Sequence, residues 1–210
     1  DFADQQKNYI KFTRNGTEYI SPADVTWPVA LGSGNSSIPA NGVDSLIYTV
    51  NRVDAPTGNY IISAGAKSVS GFTATSAENE TFGSLQVQSP DDVVIKNVYT
   101  SQTTVTAGTN APWNIVVELV NQGGSDVQDF SNTTVTLTHQ TGTPTGFAFG
   151  TPFLSKGDTR LSAQESDSLF IPVTSTGTPE GVLTIDPQVR FTVLNTNQTK
   201  TKAASAIGEQ

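Results

Sequence analysis

His139 is the chain's single histidine. A serine triad would need it as the base, with a serine and a carboxylate close by. It closes an alternating run at Thr133–Thr138 and precedes a polar loop at 140–146, and no Gly-x-Ser-x-Gly elbow presents a nucleophile. A loop histidine in water fits that setting better than a catalytic base. Paired carboxylates are the other route to hydrolysis, because glycosidases use two. Asp91 and Asp92 are adjacent within Ser89-Pro90-Asp91-Asp92 and read as a solvated link. Asp126 and Asp129 flank Val127 and could offer oxygen to calcium, but neither an EF-hand spacing nor an Asp-x-Asp-x-Asp run surrounds them. Trp27 and Trp113 could stack on sugars, although large aromatics in β-sandwiches mostly fill cores. With no cysteine anywhere, thiolate metal sites, disulfides and cysteine nucleophiles are excluded. These residues predict no catalytic, cofactor or metal site, and so no enzyme.

One kind of chemistry is offered repeatedly. Asn-x-Ser/Thr sequons occur at Asn15, Asn35, Asn79, Asn132 and Asn197. All five fall in expected turns or strand ends, where a bulky glycan fits.

The elements that position these residues are strands. Alternation of apolar and polar residues marks 10–13, Leu46–Val50, Tyr60–Ser63, Ser84–Gln88, Val93–Val98, Ile115–Asn121, Thr133–Thr138, Leu169–Val173, Val182–Ile185 and Val189–Leu194. Asn15-Gly16 supplies the positive φ of a two-residue hairpin turn. Many short strands separated by Gly, Pro, Asn and Asp predict sandwiches or barrels.

The chain also repeats itself. Asp44, Ser45, Leu46, Val50, Pro56, Gly58 and Ile62 recur, without a gap, as Asp167, Ser168, Leu169, Val173, Pro179, Gly181 and Ile185, each pair 123 residues apart. Unrelated sequence of average composition would give about one identity over such a stretch. Two copies of one sandwich are expected, the first over 1–90 and the second over 91–210, with the proline and the two acids at the boundary. Shifted by the same offset, the strands of 93–121 fall before residue 1. The first copy is therefore expected to be incomplete.

The second half, with Val93-Val94-Ile95, Thr103–Gly108 and Ile115–Gly124, then Leu161-Ser162-Ala163-Gln164-Glu165-Ser166, resembles the cell-adhesion-related (CARDB) domains of prokaryotic surface proteins. The resemblance implies an immunoglobulin-like sandwich used in adhesion or assembly, and no catalytic residues. The Asp-rich ending usual in that family is absent. The fold expected is thus all-β, two tandem immunoglobulin-like β-sandwich domains, the first incomplete.

Composition narrows the partners. Serine and threonine make up 50 of the 210 residues, charged residues 14%, and the net charge is −8. Nothing here would release counterions from phosphate, so nucleic acid is not expected. No run is long and apolar enough for a membrane-spanning helix. The absence of methionine fits a mature exported product whose signal peptide has gone. The function expected is structural: a secreted, cell-surface subunit of an extracellular prokaryotic filament or pilus-like assembly, homopolymeric through β-strand addition or donation. The alternative is an adhesion or glycan-binding module recognising cell-surface glycans. The expected donor is the C-terminal tail from Lys200 to Gln210, with Ala203, Ser205 and Ile207 on one face.

Overall fold

The computed structural model describes residues 9–19, 24–67, 73–74 and 83–204. The chain is all-β, with no α-helix among the described residues. It divides into two compact units, Asp1–Gln88 and Ser89–Gln210.

The first unit holds β1 (Tyr9–Arg14), β2 (Thr17–Glu18), β3 (Val25–Thr26), β4 (Thr49–Val50), β5 (Gly58–Lys67), β6 (Thr73–Ala74) and β7 (Ser84–Val87). One sheet runs β2-β1-β5-β6, with β7 also on β5, and β3 pairs with β4 separately. Asn15 and Gly16 both take positive φ, 51° and 78°, which matches the twist a two-residue hairpin requires. Thr13 then faces Glu18 across the turn.

The second unit holds β8 (Val93–Thr100), β9 (Trp113–Asn121), β10 (Val127–Gln128), β11 (Thr134–His139), β12 (Ala148–Phe149), β13 (Phe153–Leu154), β14 (Arg160–Leu161), β15 (Ser166–Ser175), β16 (Leu183–Val193) and β17 (Gln198–Ala203). One sheet runs β12-β15-β9-β8, with β13 on β15. The other runs β11-β16-β10-β14, with β17 on β16. Both sheets send alternate residues into one core: Trp113, Ile115, Val117, Leu119, Leu169, Ile171 and Val173 from the first, and Val127, Leu161, Val189, Phe191 and Val193 from the second. That arrangement is compatible with a β-sandwich.

Two strands expected at Val182–Ile185 and Val189–Leu194 are a single strand, β16, which passes through Pro187. The proline is tolerated because of where its missing N–H points. The Pro187 carbonyl accepts from Ala204 N, so its nitrogen faces the β17 side, just past the last ladder pair Gln188–Ala203. The β11 side keeps its bonds.

The 123-residue offset recurs in the backbone. Shifted by 123, β1 overlaps β11, β3 overlaps β12, β4 falls within β15 and β5 overlaps β16. The pairings β1–β5 and β3–β4 recur as β11–β16 and β12–β15. Individual bonds repeat as well. Gly32 N donates to Ser45 O (2.7 Å) and Ser155 N to Ser168 O (2.8 Å). Gly34 N donates to Leu31 O and Gly157 N to Leu154 O, with φ of 83° and 78° at the two glycines. Ser45 N and Ser168 N each donate to the carboxylate one residue before, Asp44 and Asp167. Gly58 and Gly181 both have positive φ at the entry to a long strand. The 31–34 and 154–157 turns lie outside the stretch in which the sequence repeat was found.

Candidate interaction surface

A buried polar cluster lies at the end of β9 and in the turn that follows it. Asn121 is fully buried. Its Nδ2 donates to Ser125 O (2.8 Å) and its Oδ1 accepts from Gly123 N (3.1 Å). Ser125 Oγ donates to Ser89 O and accepts from Asn195 Nδ2. A Cβ on Gly123 would sit 2.3 Å from Pro90 O, which is why glycine ends the Asn-x-Gly turn. The cluster is structural: every polar group in it is spent on holding chain segments together.

Asp91 is not a solvated link. Its side chain is 3% exposed and its Oδ1 accepts from Lys200 Nζ at 2.5 Å. It thereby ties the start of the unit to β17, and only the fold brings these residues, 109 apart in sequence, together. Asp126 accepts from Ala163 N (2.8 Å) and pairs with Arg160, while Asp129 accepts from Ser131 Oγ (2.7 Å). Among the described residues no group of three or more His, Asp or Glu side chains is arranged to hold a metal ion. His139 is not a loop residue in water: it is the last residue of β11, is half-buried, and has Nδ1 3.1 Å from Thr141 Oγ1. Trp113 is a core residue whose Nε1 donates to Thr176 Oγ1 (2.9 Å), whereas Trp27 is half-buried and meets Tyr48 edge to face at 5.5 Å.

The Leu161–Ser166 stretch is a turn locked by its glutamate. Glu165 Oε2 accepts from Ser162 N (2.9 Å) and Oε1 from Lys156 Nζ (2.5 Å). The lysine first, and then the Ser162 N–H, hold the Glu165 carboxyl below its ordinary value. A carboxyl whose folded pKa is lowered adds stability above its unfolded value, about 4.3, and loses it as pH falls through the folded one. E165Q should therefore be less stable than the native chain at pH 7, with the difference shrinking toward pH 3 in thermal melts. A difference independent of pH would show that the charge does not matter.

Asn15, Asn35, Asn132 and Asn197 are all exposed, and Asn79 lies outside the described residues. Asn132 adjoins an open groove of about 400 Å³ whose lining includes Thr133, Val135, Phe149, Pro152 and Ile171 and has no titratable group. Of the expected donor tail, Ala203 is the last residue of β17 and pairs with Gln188, while Ser205 and Ile207 lie outside the described residues. The stretch from Lys200 to Ala203 is thus no free tail. A turn with Asn197 at φ 54° folds the chain back along β16, a signal carried by one asparagine.

The feature that sequence reasoning located least well is the apolar face of the first unit. Among the described residues, Phe12, Val25 and Tyr60 are the buried members of its cluster, against fifteen residues in the core of the second. Ile10, Tyr19, Tyr48, Val50, Ile62, Leu85 and others stay partly open. Val29, Val43 and Ile47 are exposed at 86%, 98% and 63%. Among the described residues the Tyr48 hydroxyl has no hydrogen-bond partner although it is buried, and burial raises its pKa.

No known family, curated protein or solved structure matches this chain. Among the described residues no helix is long and apolar enough to cross a membrane.

Proposed function

We propose that this chain is a structural subunit of an extracellular prokaryotic filament or surface assembly, built from tandem immunoglobulin-like sandwiches of the cell-adhesion-related type and polymerising by β-strand addition. The observation that carries this reading is that, among the described residues, the apolar face of the first unit is only partly covered, whereas the second unit has a closed core. Exposed apolar surface and unpaired strand edges are unfavourable in a solitary molecule, and a neighbour's strand relieves both at once. The polar residues named above support a non-enzymatic role, because they bind one another or face water singly and do not converge on a cleft. The exposed sequons suit a glycosylated surface protein.

The test is the state of the full chain in solution. Sedimentation and electron microscopy across a rising concentration series should show polymers. A chain that stays monomeric throughout would remove the filament and leave the adhesion module in its place.

A further inference from the structure

The second unit contains a filled version of a site at which the first unit has no strand among the described residues. There β15 has two neighbours. On one side lie β12 and β13; on the other β9 runs antiparallel to it over eight register pairs, Ser166–Val120 to Val173–Trp113. At the 123-residue offset, the residues facing β9 correspond to 43–50. The β12 and β13 side of that segment is occupied in the first unit too, by β3 and by the bond from Gly32 N to Ser45 O. The β9 side has no strand among the described residues.

Residues 43–50 keep the form of a strand awaiting a neighbour. Val43, Ser45, Ile47 and Thr49 are exposed, and Asp44, Leu46, Tyr48 and Val50 are half-buried. Their inward counterparts Asp167, Leu169, Ile171 and Val173 are 8%, 0%, 1% and 0% exposed. Antiparallel ladders use both backbone groups of every second residue on a given side. Ser45 O is taken by Gly32 and Asn51 N donates to Asp24 O, so the N–H and C=O of Leu46 and Tyr48 face the open edge. Tyr48 adds its own buried hydroxyl, unpartnered among the described residues.

We propose that the edge of residues 43–50 is an acceptor site for an extended strand carried by a second polypeptide, antiparallel to it and apolar at four alternate positions. The chemistry of the occupant is that of β9, whose Trp113, Ile115, Val117 and Leu119 close the core of the second unit. The strand's backbone pairs with Leu46 and Tyr48, its apolar residues cover Leu46, Tyr48 and Val50, and it brings an acceptor to the Tyr48 hydroxyl. This rests on the assembly reading above and names where the incoming strand docks.

The probe is a synthetic peptide with the sequence of residues 112–121, added to the full chain, against a scrambled peptide of the same composition. Amide exchange at Leu46 and Tyr48 should slow at least tenfold with the first peptide only, while exchange at 166–173 stays unchanged. Equal exchange with both peptides overturns the proposal. So does strong protection of these amides in the monomer before any peptide is added, since the chain would then cover the edge itself. L46K should abolish the protection. Should L46K fail to fold, I115K in the peptide makes the same test from the other partner. Protection in a chain that never polymerises keeps this site and removes the filament, whereas polymers that form with 43–50 unprotected remove this site alone.

Discussion

Leu169→Ala should lower the stability of the second unit by roughly 3–5 kcal/mol, the range for a leucine deleted from a closed core. Leu169 is 0% exposed, sits mid-strand in β15 and is flanked by β9 and β13. Leu46, its counterpart at the 123-residue offset, is only half-buried. Leu46→Ala should cost about 1.5 kcal/mol at most, because much of its area is already in water and little cavity is left behind. Each unit contains one tryptophan, Trp27 in the first and Trp113 in the second. Fluorescence-monitored urea unfolding of W27F and W113F backgrounds therefore reads the two units separately. Equal costs for the two substitutions would mean that the first core is as closed as the second, and the acceptor edge would lose its basis.

Asn121→Ala is the second large effect, at about 3 kcal/mol. The side chain is at 0% exposure and both its ends are engaged, one with Ser125 O and one with Gly123 N. Truncation leaves a buried carbonyl and a buried N–H without partners, each costing about 1–3 kcal/mol. Asn121→Asp should be no better at neutral pH, since a carboxylate oxygen would then face the Ser125 carbonyl. The measurement is urea unfolding of the second unit. A cost below about 1 kcal/mol for N121A would show that the turn is held without this side chain.

Much of the fold was legible in the residues. Alternation located most of the long strands, because a half-buried strand must alternate. Asn15-Gly16 gave its hairpin, since few other residues accept positive φ at two successive positions. The repeat was readable at 44–62 because the Pro-x-Gly turn and the inward leucine and valine are fixed by backbone shape and burial. The two-residue strands β3, β12, β13 and β14 were not legible, for two residues carry no period.

What only the tertiary structure decided are the contacts between distant segments. Asp91 looked like solvent-facing charge until Lys200 of β17 was brought to it. Lys200–Ala203 looked like a tail until the turn at Asn197 laid it on β16. The 31–34 turn matched the 154–157 turn through hydrogen bonds more clearly than through side chains, because two residues in four were conserved in type while the backbone bonds were kept. By itself the sequence determined strand propensity, turn positions and the absence of cysteine chemistry, all of which are properties of neighbouring residues or of composition. Which strand edges are covered depends on which distant strand pairs with which: β9 pairs with Ser166–Val173, and among the described residues no strand takes its place along 43–50, which is a property of the folded chain alone.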